Sequence, residues 1–274
     1  MHVGVYGLGR FGNLWAQLLS GTFPVSAFNR SARPVPDGVE LVDEARLAEC
    51  DIIFLCVSIR AVGSVCRRLA EVLQPGTAVA DTCSVKLHPL NIMRRELPAY
   101  TPILGTHPMF GPDSVGASGH PLPVVITPGR DSESLETIWA GYFSELGFEV
   151  HTMSADEHDR EAARTQGITH LVGRILGELD LPDSAIATTG YRRLQQLVEQ
   201  TCNDPYELFE DLLLLNPHAS RARTAFEQSV EHVLARLDSA GADSDLDRRP
   251  GSAGRESAGG RGIENRSRRD RRDE

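Results

Sequence analysis

The stretch MHVGVYGLGRFGNLWAQLLSG, residues 1–21, constrains the fold more than any other part of the chain. HVGVYG (2–7) has the apolar character of a strand. It runs directly into Gly7, Gly9 and Gly12, and beyond it Phe11, Leu14, Leu18 and Leu19 recur at helical spacing, with Gly21 as a stop. A strand, a G-x-G-x-x-G turn and a helix, in that order, make a phosphate cradle. Gly7 permits the tight turn, Gly9 lets a pyrophosphate approach the backbone, and Gly12 lets helix and strand pack closely. The helix N-terminus adds free N–H groups and the positive end of its dipole. Candidate cofactor contacts in the turn are Gly7, Leu8, Gly9, Arg10, Phe11 and Gly12; without a ligand the same cluster would be a plain helix-entry turn.

The alternation continues. PVSAFNR (24–30), DIIFLCVSI (51–59), GTAVADTCS (76–84), TPILGTH (101–107) and PVVITP (123–128) read as further strands, with helices between them, as at 61–73 and 133–146. The unbroken apolar run Ile52 to Val57 suits a strand covered on both faces, as in a parallel sheet. These units imply an α/β class: a Rossmann-type doubly wound sheet with right-handed crossovers. After FEVHTMS (148–154) the pattern becomes helical only. Ser154 and Glu157 form a capping box that opens a long helix. One side of it carries Ile168, Leu171, Val172, Ile175 and Leu179, and the other a polar stripe of Gln166, His170 and Arg174. YELFEDLLLLN (206–216) and RARTAFEQSVEHVLARL (221–237) are further helices. The domain reading is a dinucleotide-binding Rossmann domain over 1–152, an all-helical substrate and dimerisation domain over 153–238, and a tail over 239–274.

Charge separates that tail from the body. The net charge is −10, yet residues 240–274 hold nine arginines and eight acids, so the negative charge belongs to the body and argues against nucleic acid as a partner. With almost no apolar side chains the tail reads as a disordered polyampholyte; as a nucleic-acid arm it would have its basic field cancelled by the interleaved acids. No apolar run reaches the roughly 18 residues of a membrane span, and the N-terminus lacks the pattern of a signal peptide. Five scattered cysteines (Cys50, Cys56, Cys66, Cys83, Cys202) argue against a disulfide framework or a zinc site and for a reducing, cytoplasmic setting. No histidine pairs with Cys, Asp or Glu at metal-ligand spacing, EHDRE (157–161) reads as a charged helix face, and no metal is expected.

The second strand ends in FNRS. A site for NAD usually places Asp or Glu there to hold the ribose 2′-hydroxyl. Here Asn29 is neutral, and Arg30 with Ser31 suits a 2′-phosphate, because the guanidinium fork donates bidentately to phosphate oxygens. This favours NADP over NAD; the alternative for Arg30 is a solvated side chain stacking on adenine. Val57 and Ser58, after the central apolar run, complete the cofactor candidates.

In an open α/β sheet, ligands lie outside the carboxyl ends of the strands. Ser84, in DTCSVK, and His107, in GTHPMFGPDS, sit at two such ends and project towards the nicotinamide side. An imidazole with an ordinary pKa of about 6.5 is largely neutral near pH 7 and can accept a hydroxyl proton. The glycines and prolines around His107 would hold it still; a structural loop histidine is the competing reading. DTCSVK, GTHPMFGPDS, EHDREAARTQGITHLVGRIL and NDPYELFEDLLLLN together resemble the prephenate/arogenate dehydrogenase family of tyrosine biosynthesis, over residues 1 to about 238. The resemblance implies an oxidoreductase that oxidises a cyclohexadienyl C4 alcohol with NAD(P) while the ring carboxylate leaves as CO₂. It implies that His107 accepts the hydroxyl proton, that Ser84 hydrogen-bonds that hydroxyl, and that His170 contacts the substrate. No chorismate mutase segment precedes the first strand, so the chain looks monofunctional in that respect.

One departure stands out. Members of the family commonly carry an arginine before the DP pair to clamp the ring carboxylate, whereas this chain reads YRRLQQLVEQTCNDP, with Glu199 and Gln200 near that position. Arg174, Arg192 and Arg193 are the candidate replacements and Gln166 a further substrate contact; each also reads as a solvated helix residue. Competing functions are a related β-hydroxyacid dehydrogenase or imine reductase, and a non-catalytic NADP-sensing regulator. The partners expected are a small carboxylic acid and a second copy of the chain, since the apolar helical half, LLLL at 212–215 above all, suits a homodimer.

Overall fold

The run Ile52–Leu55 forms a strand with all its residues buried, and its alternate side chains serve two separate cores. Ile53 and Leu55 join one apolar cluster, and Ile52 and Phe54 join the other. That division is the period of two of a β-strand, applied to a sheet covered on both faces. The structure, a computed structural model, describes residues 1–113, 115 and 120–247. The strands are β1 (Val3–Tyr6), β2 (Val25–Phe28), β3 (Val39–Leu41), β4 (Ile52–Leu55), β5 (Ala78–Asp81), β6 (Ile103–Pro108), β7 (Pro123–Arg130) and β8 (Glu149–Thr152). They lie in one sheet in the order β3-β2-β1-β4-β5-β6-β7-β8, parallel throughout except where β6 meets β7.

Helices cover both faces. α1 (Arg10–Ser20) and α5 (Glu133–Glu145) bring Trp15, Leu19, Trp139 and Phe143 to one core. α2 (Glu44–Leu47), α3 (Val62–Ala70) and α4 (Leu87–Glu96) bring Leu47, Val65, Leu69, Leu90 and Met93 to the other. This is the doubly wound sheet expected. β3 escapes the sequence reading because it has three residues, only one of them partly buried. β6 also extends beyond expectation, so His107 lies within a strand and pairs with Val125 of β7.

The helical portion follows β8. Its capping box is formed as expected: Ser154 Oγ accepts the Glu157 N–H at 3.3 Å, and the Ser154 N–H donates to Glu157 Oε2 at 3.0 Å. The long helix expected from there is instead two. Thr165 (φ −97°, ψ −85°) leaves helical geometry and separates α6 (Ala155–Arg164) from α7 (Gln166–Gly177). α8 (Thr189–Cys202), not assigned from the sequence, α9 (Tyr206–Leu214) and α10 (Ala219–Asp247) complete the described chain.

α7 buries its glycine and polar side more fully than its apolar side. Gly167, His170 and Gly173 are buried, Ile168, Leu171 and Val172 are half-buried, and Ile175 and, just past the helix end, Leu179 are 46% and 62% exposed. Of LLLL, Leu212 is in the core and Leu214 is exposed.

The chain divides into two units, Met1–Glu227 and Gln228–Glu274. The second is helical to Asp247, past the boundary drawn at 238, and leaves Val230, Val233, Leu234 and Leu237 exposed at helical spacing. The rest of the tail lies outside the described residues. Among the described residues, no helix is long and apolar enough to cross a membrane.

Gly173 tests how closely α7 and α8 pack, because a β-carbon there would lie 2.1 Å from Thr201 Oγ1. Gly173→Ala is expected to destabilise the protein by about 1–3 kcal/mol, as overpacking does. Adding Thr201→Ala to Gly173→Ala is expected to recover part of that loss, measured by urea unfolding of the two singles and the double.

Candidate active site

The glycine turn has the geometry that its residue types require. Gly7 has φ +106°, and a β-carbon there would fall 2.4 Å from Cys56 O. A β-carbon on Gly12 would lie 1.9 Å from Gly7 O, so only glycine lets α1 start this close to β1. Gly9, the residue that caps α1, has open space where a side chain would be, and the first turn of α1 carries no acid and no side-chain cap. Free N–H groups facing open space fit a phosphate.

Asn29 braces this turn. Its Oδ1 accepts the Leu8 N–H at 2.8 Å and its Nδ2 donates to Ser31 O at 2.6 Å. The Leu8 side chain points into the core, at 1% exposure, so Leu8 serves the turn through its backbone. Arg30 and Ser31 are exposed at the end of β2.

A cavity of about 400 Å³ opens from the turn, lined there by Gly9, Arg10, Phe11, Gly12, Val57 and Ser58. Gly7, Leu8, Asn29, Arg30 and Ser31 are outside its lining. Arg10 reaches across its edge to Asp113, donating to both carboxylate oxygens at 2.7 and 2.8 Å.

Ser84 and His107 line the same cavity. Beneath them Lys86, fully buried, forms an ion pair with the buried Asp81 and donates to Thr106 O at 2.6 Å. His107 is 2% exposed, and its Nδ1 lies 2.8 Å from His158 Nε2. His158 Nδ1 in turn lies 2.8 Å from Asp159 Oδ1, and the oxygens of Asp159 accept the N–H groups of Lys86 and Leu87 at the start of α4. Burial first, then His158 and Lys86, hold the His107 pKa well below the ordinary histidine value, so the ring is neutral and able to accept a proton. EHDRE is therefore not simply a charged face. Glu157, Arg160 and Glu161 are exposed, but His158 and Asp159 point inward with Ala162 and Ala163.

The helical side closes the cavity with Gln166, His170, Gln200, Asp204, Glu207 and Leu208. Gln166 Oε1 and His170 Nδ1 are buried there without hydrogen-bond partners. Such groups cost roughly 1–3 kcal/mol each until something pairs with them. Asp204 is half-buried, and burial raises its pKa against the opposing pull of His170 and Arg10.

The arginines are elsewhere. Arg174 donates to Asp204 O at 2.6 Å and stacks on Tyr206 and Phe209, with its guanidinium 5.3 and 5.8 Å from their ring centres, so it braces the entry to α9. Arg192 and Arg193 are exposed on the first turns of α8. None of the three lines the cavity. The inward turn of α7 places Gln166 and His170 at the cavity and leaves Arg174 one turn beyond it.

Fold and turn together define a Rossmann-type nucleotide-binding protein with a helical segment appended. Residues 37–152 match the family model described as prephenate dehydrogenase, nucleotide-binding domain, and residues 175–247 match TYRAAT1-like, C-terminal domain. The chain is 34% identical over 256 residues to arogenate dehydrogenase 1, chloroplastic, of Arabidopsis thaliana, covering 87% of this chain and 40% of that protein. It is 36% identical over 197 residues to arogenate dehydrogenase 2 of the same plant, covering 68% of this chain and 55% of that protein. It thus spans about half the length of these relatives. Among solved structures, the prephenate dehydrogenase of A. aeolicus in complex with hydroxyphenyl propionate and NAD+ superposes with a TM-score of 0.67 at 20% identity, covering 90% of this chain and 93% of that one. Synechocystis arogenate dehydrogenase gives 0.65 at 20% identity, covering 90% and 95%. The chain belongs to the prephenate/arogenate dehydrogenase family.

His88, His107, His158 and His170 all have pKa values lowered chiefly by burial. Each takes up a proton more readily when unfolded, so stability is full above the unfolded value of about 6.5 and falls as the pH drops below it. Urea midpoints are expected to fall from about pH 7 to pH 5, each histidine contributing up to ~1.4 kcal/mol per pH unit while it titrates. His107→Asn is expected to flatten the slope; a midpoint independent of pH would contradict neutral burial.

Proposed function

We propose that the protein oxidatively decarboxylates a cyclohexadienyl acid with a nicotinamide dinucleotide. The observation that carries this reading is one cavity bounded by the phosphate turn, by Ser84 and His107 at the strand ends, and by the unpartnered Gln166 and His170. When bound, the cofactor supplies the hydride acceptor. His107 takes the C4 hydroxyl proton at Nε2, and Ser84 holds that hydroxyl in line. Gln166 and His170 orient the acid. As the ring carboxylate leaves as CO₂ and the ring becomes aromatic, the proton borrowed by His107 returns to the same oxygen. No net proton is released.

Four finer readings follow. The cavity lining carries Asp113, Asp204 and Glu207 against the single guanidinium of Arg10. Asp113 is taken by Arg10 and Glu207 faces Arg60 at 3.6 Å, whereas the nearest Arg10 nitrogen is 3.9 Å from Asp204. A half-buried carboxylate short of a close cation suits an ammonium, which favours arogenate, the amino acid, over prephenate, the keto acid. NADP remains the preferred cofactor, because β2 ends without an acid and offers Arg30 and Ser31. The free cysteines support a reducing cytoplasmic setting. The exposed Ile175, Leu179 and Leu214 in one unit, and the stripe Val230, Val233, Leu234 and Leu237 in the other, each support a homodimer.

A spectrophotometric assay of arogenate and prephenate with NAD and NADP tests the whole reading, with arogenate and NADP expected to be fastest. His107→Asn is expected to lower kcat by about 10²–10⁴ while cofactor binding persists; nearly intact turnover in the folded variant would overturn the chemistry. Asp204→Asn is expected to cost about tenfold or more in kcat/KM for arogenate, some 1.4 kcal/mol, and to leave prephenate unharmed.

A further inference from the structure

We propose that His158 and Asp159 are positioning residues that fix the tautomer of His107 and carry the charge it acquires. The proposal rests on the proton-accepting role given to His107 above, but its geometry is independent of the substrate.

The assignment starts at the far end of the chain of groups. Asp159 already accepts two backbone N–H groups, from Lys86 at 2.6 Å and Leu87 at 3.0 Å. A carboxylate so engaged can only accept from His158, so His158 carries its hydrogen on Nδ1. The Nε2 of neutral His158 is then bare and accepts, at 2.8 Å, the hydrogen on His107 Nδ1. The remaining nitrogen of His107, Nε2, is left without a hydrogen on the cavity side. That is the atom a base needs. Without the pair, His107 would be free to carry its hydrogen on Nε2 and face the substrate as a donor.

The same line of groups supports the charged state. When His107 takes a proton, its Nδ1–H shares the positive charge with His158, which rests on Asp159. Other charged and titratable groups face the pair from each side. Lys86 and Asp81 lie under it, and His88 on α4 lies near Asp159. Lys86 opposes a positive charge on either ring, whereas Asp159, hydrogen-bonded to His158, and Asp81 favour one on His158. Asp159 is itself held in place: its backbone oxygen accepts from the buried Asn216 Nδ2 at 2.7 Å.

Nitrogen NMR of ¹⁵N-histidine-labelled full-length protein, without substrate and near neutral pH, reads the tautomer directly, with His107→Asn identifying the signals. Nδ1 protonated and Nε2 bare is the expected result; Nε2 protonated overturns the proposal whether or not the protein turns over. In kinetics, His158→Leu, which offers His107 no acceptor, and Asp159→Asn are expected to lower kcat by about 10²–10⁴ with KM for cofactor and substrate little changed. Loss of the Asp159 charge is also expected to move the acid limb of kcat/KM to lower pH, a shift that a purely structural role would not produce. If Asp159→Asn fails to fold, because Asp159 also caps α4, His158→Leu leaves that cap intact and decides the matter. Wild-type rates in folded His158→Leu would overturn the proposal, whereas a wild-type enzyme inert to every cyclohexadienyl acid would instead overturn the proposed reaction.

Discussion

A buried ion pair holds the cavity floor together. Lys86 and Asp81 are both fully buried, an arrangement whose desolvation cost is offset only when the geometry and the further hydrogen bonds are good. Here they are. Lys86 also donates to Thr106 O, Asp81 Oδ2 accepts the Cys83 N–H at 3.0 Å, and Thr106 Oγ1 donates to the Asp81 carbonyl at 2.6 Å. The loop that carries Ser84 and the strand that carries His107 are thereby tied at one point. Removing one partner of such a pair typically costs about 3–5 kcal/mol, so the placement of the serine and the histidine depends on charges that never meet the solvent.

Much of the sheet half was legible because its signals are local. The glycines at 7, 9 and 12 have a steric meaning that survives any context, and the apolar runs mark buried strands wherever they pack. That Ser84 and His107 line the cavity is legible from their positions at the carboxyl ends of strands. His158 and Asp159 are not, because an acid and a base inside a run of charges read as a solvated face. The signal that would have separated them is the small residue four positions after each: His158, Asp159, Ala162 and Ala163 form one buried stripe at helical spacing.

The helical half was less legible for a different reason. Which way a helix turns is decided by what it packs against, and sequence gives only its stripes. α7 presents glycines and a histidine inward because Gly173 lets Thr201 of α8 approach and because the cavity accepts polar groups. Its apolar side is only half-buried, and exposed at Ile175. Arg192 and Arg193 take the second of their two readings, as solvated residues on the exposed first turns of α8. The amide of Gln200 stands at the cavity wall, and none of the candidate replacements Arg174, Arg192 and Arg193 reaches that wall.

Asn29 sets a limit on what position 29 can become. Both ends of its amide are engaged within the protein, one by the Leu8 N–H and the other by the Ser31 carbonyl. An aspartate there, the simplest way to acquire a ribose-binding acid, would keep the first link but set an anionic oxygen against that carbonyl and loosen the bend after β2. Because that carbonyl belongs to the backbone, no side-chain change at residue 31 removes it, and a single substitution at residue 29 would leave the glycine turn less firmly held than before.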